Sequence, residues 1–80
     1  KYFVYILKSK NFNQTYVGYT NNLEKRLKGH NSGKQFYTSK FIPWEIIYTE
    51  EFKNQFEARK KEKYYKSSAG RRKLKLLFSK

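Results

Sequence analysis

A small α/β (α+β) domain is predicted, with a three-stranded antiparallel β-sheet flanked by helices in the order β-β-α-β-α-α. Three observations predict it. The chain opens with two aromatic, β-branched runs joined by a polar turn, and a third such run lies at residues 44–52. Between and after these runs, apolar residues recur at helical spacing behind an asparagine. Strands that pair locally, with helices segregated around them, make an antiparallel sheet covered by helices.

Residues 2–8 alternate as a strand, with Tyr2, Val4 and Ile6 on one face and Phe3, Tyr5 and Leu7 on the other. "KNFNQ" supplies a turn and "TYVGY" the return strand. Gly18 within that strand signals a bulge or a close backbone approach. "NNLEKRLKGHNSGK" then reads as a helix, with Asn21 as N-cap, Glu24 three residues on, and Leu23, Leu27 and His30 along one face. Asn31, Ser32 and Gly33 end it, and a basic loop, "KQFYTSKFIP", follows. "WEIIYTEEF" alternates less cleanly but has the composition of a third strand. "NQFEARKKEKYYKSSAG" is the second helix, capped by Asn54 with Glu57 and terminated by Gly70. "RRKLKLLF" closes the chain as a short basic helix.

The 80 residues read as a single domain, 1–80. Nineteen Lys and Arg against six acids leave a net charge of +13, spread over almost the whole chain. Such a field draws polyanions, of which nucleic acid is the commonest. Cysteine is absent and His30 is the lone histidine, which excludes a thiolate or His-cluster metal site within one chain. No leader pattern and no long apolar run is present. The expectation is a soluble cytoplasmic protein, free or nucleoid-associated, that binds nucleic acid and needs neither a membrane nor an obligate protein partner. All six acids are glutamates and aspartate is absent, which weighs against a two-metal site, since that needs several carboxylates converging.

Position separates the glutamates of the second helix. Glu57 stands where a capping glutamate belongs. Glu62 falls on the stripe of Ala58, Tyr65 and Ala69 expected to face the sheet, where a carboxylate is costly unless paired or holding a metal. Arg26 and His30 are four residues apart on the first helix. Alone, His30 reads as a favourable cation at a helix C-terminus. Alone, Tyr5 and Tyr16 read as core or rim aromatics, and Tyr2 and Tyr19 as packing or surface residues.

Together, "FVY" and "YVG", the Arg26–His30 helix and "FEARKKEKYYK" resemble, in order, the motifs of the GIY-YIG endonuclease superfamily. The resemblance covers essentially the whole chain and is closest to small standalone members, related to the catalytic domain of the excision-repair nuclease. Phe3 and Val4 stand where the family name has glycine and isoleucine. Tyr19 follows the second tripeptide, where some members carry a nearby lysine, and residues 66–80 hold no asparagine, which some members place after the glutamate helix.

The resemblance implies a DNA endonuclease with one Mg²⁺ (or Mn²⁺) on Glu62. Arg26 would neutralise the scissile phosphate. Tyr5 would serve as general base or relay, with Tyr16 positioning water or phosphate and His30 assisting. Gly18, Lys34, Lys40, Arg59 and Lys66 are the candidate nucleic-acid contacts. A basic binding module that keeps the fold without cutting, on DNA or RNA, is the alternative.

Overall fold

A computed structural model describes residues 1–78. The elements are β1 (Tyr2–Ser9), β2 (Thr15–Thr20), α1 (Leu23–Asn31), α2 (Phe36–Ser39), β3 (Trp44–Phe52), α3 (Gln55–Lys66) and α4 (Ser68–Phe78). The three strands form one antiparallel sheet, as the strand composition predicts, and their order in it is β2-β1-β3.

Because β1 is central, both of its faces are covered, and its alternation divides the core in two. Val4 and Ile6 pack with Val17, Ala58 and Tyr65 on the side of α3 and α4. Tyr5 and Leu7 pack with Trp44, Leu23 and Leu27 on the side of α1 and α2. The uneven alternation of β3 has a cause in the register. Ile6 pairs with Tyr48 and Leu7 with Ile46, so Ile47 is the extra residue of a bulge. Ile46 therefore joins the α1 side, while Ile47 and Tyr48 both join the α3 side.

Gly18 makes the close approach rather than a bulge. It pairs directly with Tyr5 in an unbroken β1–β2 register. A Cβ there would meet the Tyr5 hydroxyl at 2.5 Å.

Four local expectations are corrected. The cap of α1 is Asn22, not Asn21: its side chain accepts from the Lys25 amide at 3.1 Å. The Thr20 hydroxyl accepts from the Asn22 amide and holds the turn one residue longer. The second predicted helix breaks at Ser67, not at Gly70. Ser67 is extended, its hydroxyl donates to the Tyr64 carbonyl, and it accepts from the Gly70 amide, so one side chain ends α3 and starts α4. Gly70 instead lies buried inside α4, its missing Cβ replaced by the backbone of Tyr64 and Tyr65. Ala69, beyond the break, is exposed and leaves the stripe, whereas Ala58 and Tyr65 are buried as expected. The basic loop also contains the short helix α2, which its sequence does not signal. The cap at Asn54 is as expected, accepting from the Glu57 amide at 2.9 Å.

Candidate active site

The site forms at the edge strand β2, where Arg26 of α1 and Glu62 of α3, from opposite faces of the sheet, line one cleft. Tyr5 is its buried centre, only 1% exposed. Its hydroxyl lies 3.2 Å from Arg26 Nε and 3.0 Å from His30 Nε2. A guanidinium can only donate, so the phenol oxygen accepts from Arg26; Tyr5 and His30 Nε2 share a second hydrogen bond whose direction follows the imidazole tautomer. The other ring nitrogen, His30 Nδ1, shares a hydrogen bond with Thr38 Oγ1 at 3.1 Å.

Several contacts hold that histidine in place. Asn31, next to it at the end of α1, accepts from the Trp44 amide at 2.6 Å and donates to the Trp44 carbonyl at 3.1 Å. The Trp44 indole donates to the Thr38 carbonyl. The end of α1, the start of β3 and α2 are thus tied around one imidazole.

Burial sets the proton affinities. Desolvation lowers the His30 pKa, and the charge of Arg26 lowers it further, which keeps the ring neutral. Desolvation raises the Tyr5 pKa to about 12, against the opposing hydrogen bond and charge of Arg26. The bond from Tyr5 in turn holds Arg26 more firmly charged than usual. At neutral pH the group is a cation, a neutral phenol and a neutral imidazole, joined by hydrogen bonds.

Beside this group opens a cleft of about 350 Å³. Arg26, Tyr16, Gly18 and Glu62 line it. Tyr5 does not; it lies one layer beneath, its hydroxyl pressed against the bare Cα of Gly18. Tyr16 packs against both buried partners, its ring centroid 6.4 Å from Tyr5 and 4.9 Å from His30. Glu62 enters from α3 with its side chain 16% exposed, and Lys66 donates to Glu62 Oε2 at 3.0 Å. Lys66 Nζ also lies 5.6 Å from the centre of the Tyr16 ring.

The five sequence candidates thus surround one place. Of the candidate nucleic-acid contacts, Gly18 and Lys66 are at the site. Lys34, Lys40 and Arg59 are exposed and do not line the cleft, and Lys40 instead caps the ring of Phe36 at 4.5 Å. Tyr2 and Tyr19, which the sequence assigns to packing or surface, also line the cleft, with Thr20 and Asn21. Thr38 carries no sequence signal, because its role depends on α2, which only the tertiary contacts reveal.

Among the described residues no group of three His, Cys, Asp or Glu could hold a metal. Glu62 is the carboxylate of the cleft, and hard oxygen donors accompany it in Tyr16, Tyr19, Thr20 and Asn21. That set suits an ion that takes one carboxylate and keeps most of its waters.

The sequence model of the GIY-YIG catalytic domain matches residues 1–75. The chain belongs to the GIY-YIG family. This places it in a nuclease-type family. A UPF0213 protein of Clostridium perfringens is 46% identical over 79 residues, covering 98% of this chain and 84% of the relative. The UPF0213 protein YazA of Bacillus subtilis is 42% identical over 73 residues, covering 90% and 73%. The solution NMR structure of a UPF0213 protein from Bacillus halodurans superposes with a TM-score of 0.55 at 34% identity, covering 96% of this chain and 84% of that one. No helix among the described residues is long and apolar enough to cross a membrane.

Proposed function

We propose that this GIY-YIG protein is a divalent-metal-dependent endonuclease that hydrolyses phosphodiester bonds of DNA. One observation carries the reading: a phenol hydroxyl held between a guanidinium and a neutral imidazole, directly behind a cleft that contains a carboxylate.

With its proton on Nδ1, His30 accepts from Tyr5 at Nε2 and donates to Thr38, and the hydrogen bonds then form a proton path. A water attacking phosphorus gives its proton to the Tyr5 oxygen as Tyr5 passes its own hydrogen to His30 Nε2. The phenol never has to stand as a free phenolate, which matters because its pKa is pushed up to about 12. His30 becomes an imidazolium whose Nδ1–H stays on Thr38. As the water oxygen bonds to phosphorus, the P–O3′ bond breaks, and the leaving oxygen takes a proton from solvent in the cleft. Arg26, whose Nε holds Tyr5, presents its Nη groups to the charge growing on the phosphate. Tyr16 lines the cleft beside this path and orients water or phosphate.

Glu62 is the residue that would hold Mg²⁺ or Mn²⁺, which when bound supplies neutralising charge to the phosphate and the leaving oxygen. Lys66 covers one oxygen of that carboxylate and keeps it from standing uncompensated in the cleft.

Labelled duplex, flap, junction and single-stranded DNA, with RNA as a control, tests the reading in Mg²⁺ and in chelator. Wild type cleaves DNA only with metal. Glu62→Gln cuts the rate by about a hundredfold or more while binding persists. Binding without cleavage by the wild type contradicts the enzyme and leaves the nucleic-acid-binding module; full-rate cleavage by Glu62→Gln removes the metal assignment.

A further inference from the structure

A second groove, of about 290 Å³, continues the cleft along the β2 edge and shares Tyr16 with it. Tyr37 of α2, Lys66 of α3 and Arg71 of α4 line it. Tyr37 is 49% exposed, so its ring serves the core little. Its ring centroid stands 6.4 Å from that of Tyr16, and Lys66 Nζ approaches the same Tyr16 ring. One aromatic ring and one cation thus meet Tyr16 of the candidate active site, and a second cation, Arg71, lines the same groove. Beyond Arg71 the track runs into a larger groove bordered by Lys8 and Lys75.

We propose that this groove is a subsite for one unpaired nucleotide adjoining the scissile phosphate, its base against Tyr37 and its phosphates against Lys66 and Arg71; this rests on the nuclease reading above. An aromatic ring beside cations is the surface that single strands recognise, because every base has a stacking face and every linkage a charge. A base inside a duplex has both faces already stacked, and a groove this small has no room for a base pair. The site therefore selects strands that are unpaired beside the cut. The two cations come from α3 and α4, so the turn at Ser67 that separates these helices also shapes the subsite.

Fluorescence anisotropy on the full chain in chelator tests this apart from cleavage, using a short labelled single strand and the matching duplex. Wild type binds the single strand more tightly. Tyr37→Leu weakens strand binding about tenfold and changes duplex binding less than about twofold, while Tyr37→Phe, which keeps the ring, binds like wild type. On the facing side, Arg71→Ala weakens strand binding and lowers the salt slope by about one. If strand and duplex bind alike and neither Tyr37→Leu nor Arg71→Ala shifts strand binding, the subsite is wrong and the nuclease reading stands. If wild type binds neither oligonucleotide, the subsite is wrong, and the cleavage panel alone decides the nuclease reading.

Discussion

At the residue scale, the site depends on a side chain that is absent. Gly18 faces Tyr5 across the β1–β2 ladder, and the space its Cβ would fill is taken by the phenol hydroxyl. That arrangement lets a residue only 1% exposed sit against the cleft. Gly18→Ala must push the ring from its place between Arg26 and His30. The expected result is a loss of stability of about 1–3 kcal/mol and a fall in cleavage rate of about a hundredfold, as for a catalytic group displaced by an ångström. Urea unfolding and rate measurement check the two effects, and wild-type behaviour in both contradicts the geometry. The close approach at Gly18 is legible in the sequence as a glycine within a strand. That Tyr5 lies beneath the surface and Tyr16 upon it is not legible. Both are strand tyrosines on the same sheet face, and only the central place of β1 against the edge place of β2 separates them.

At the element scale, the hydrophobic pattern locates every strand and the two longer helices of the prediction, because their apolar periods are strong. It misjudges where helices start and stop. Asn21 and Asn22 are equally good caps by residue type, and the hydroxyl of Thr20 decides between them. "SSAG" looks like a helix end closed by glycine, but Ser67 breaks the helix and Gly70 serves packing. The backbone of α3 at Tyr64 and Tyr65 occupies the position of a Gly70 Cβ, and backbone cannot yield as a flexible side chain can. Gly70→Ala is therefore expected to cost about 3 kcal/mol, read as a lowered urea midpoint. A variant as stable as wild type contradicts the close packing of α4 on α3. The uneven pattern of β3 is likewise visible in sequence, but its cause, the bulge at Ile47, needs the register against β1.

At the scale of the whole molecule, three layers contribute one part each. The layer of α1 and α2 holds His30 and Arg26, the sheet holds Tyr5 and Tyr16, and the layer of α3 and α4 holds Glu62 and Lys66. They meet at β2 because it is an edge strand, with no further strand to keep the two helical layers apart. The separation of Arg26, His30 and Glu62 along the chain is legible; their convergence is a property of the strand order. The basic charge spread over the chain is legible too, but not its path, since Lys34, Lys40 and Arg59 lie away from the cleft while Arg71 lies beside the adjoining groove.

The proposed chemistry turns on neutral His30 taking the proton of Tyr5. As the lone histidine, His30 gives a single imidazole signal, and its titration by NMR can be set beside the pH dependence of the cleavage rate. Burial lowers its pKa below the ordinary 6.5, so the acceptor is intact at neutral pH and is lost only as pH falls through that lowered value. The predicted result is a rate level through neutrality, with one acid limb whose midpoint matches the His30 titration, below 6.5. A rate that instead climbs about tenfold per pH unit toward the Tyr5 pKa of about 12, or a limb unrelated to the His30 titration, would contradict it.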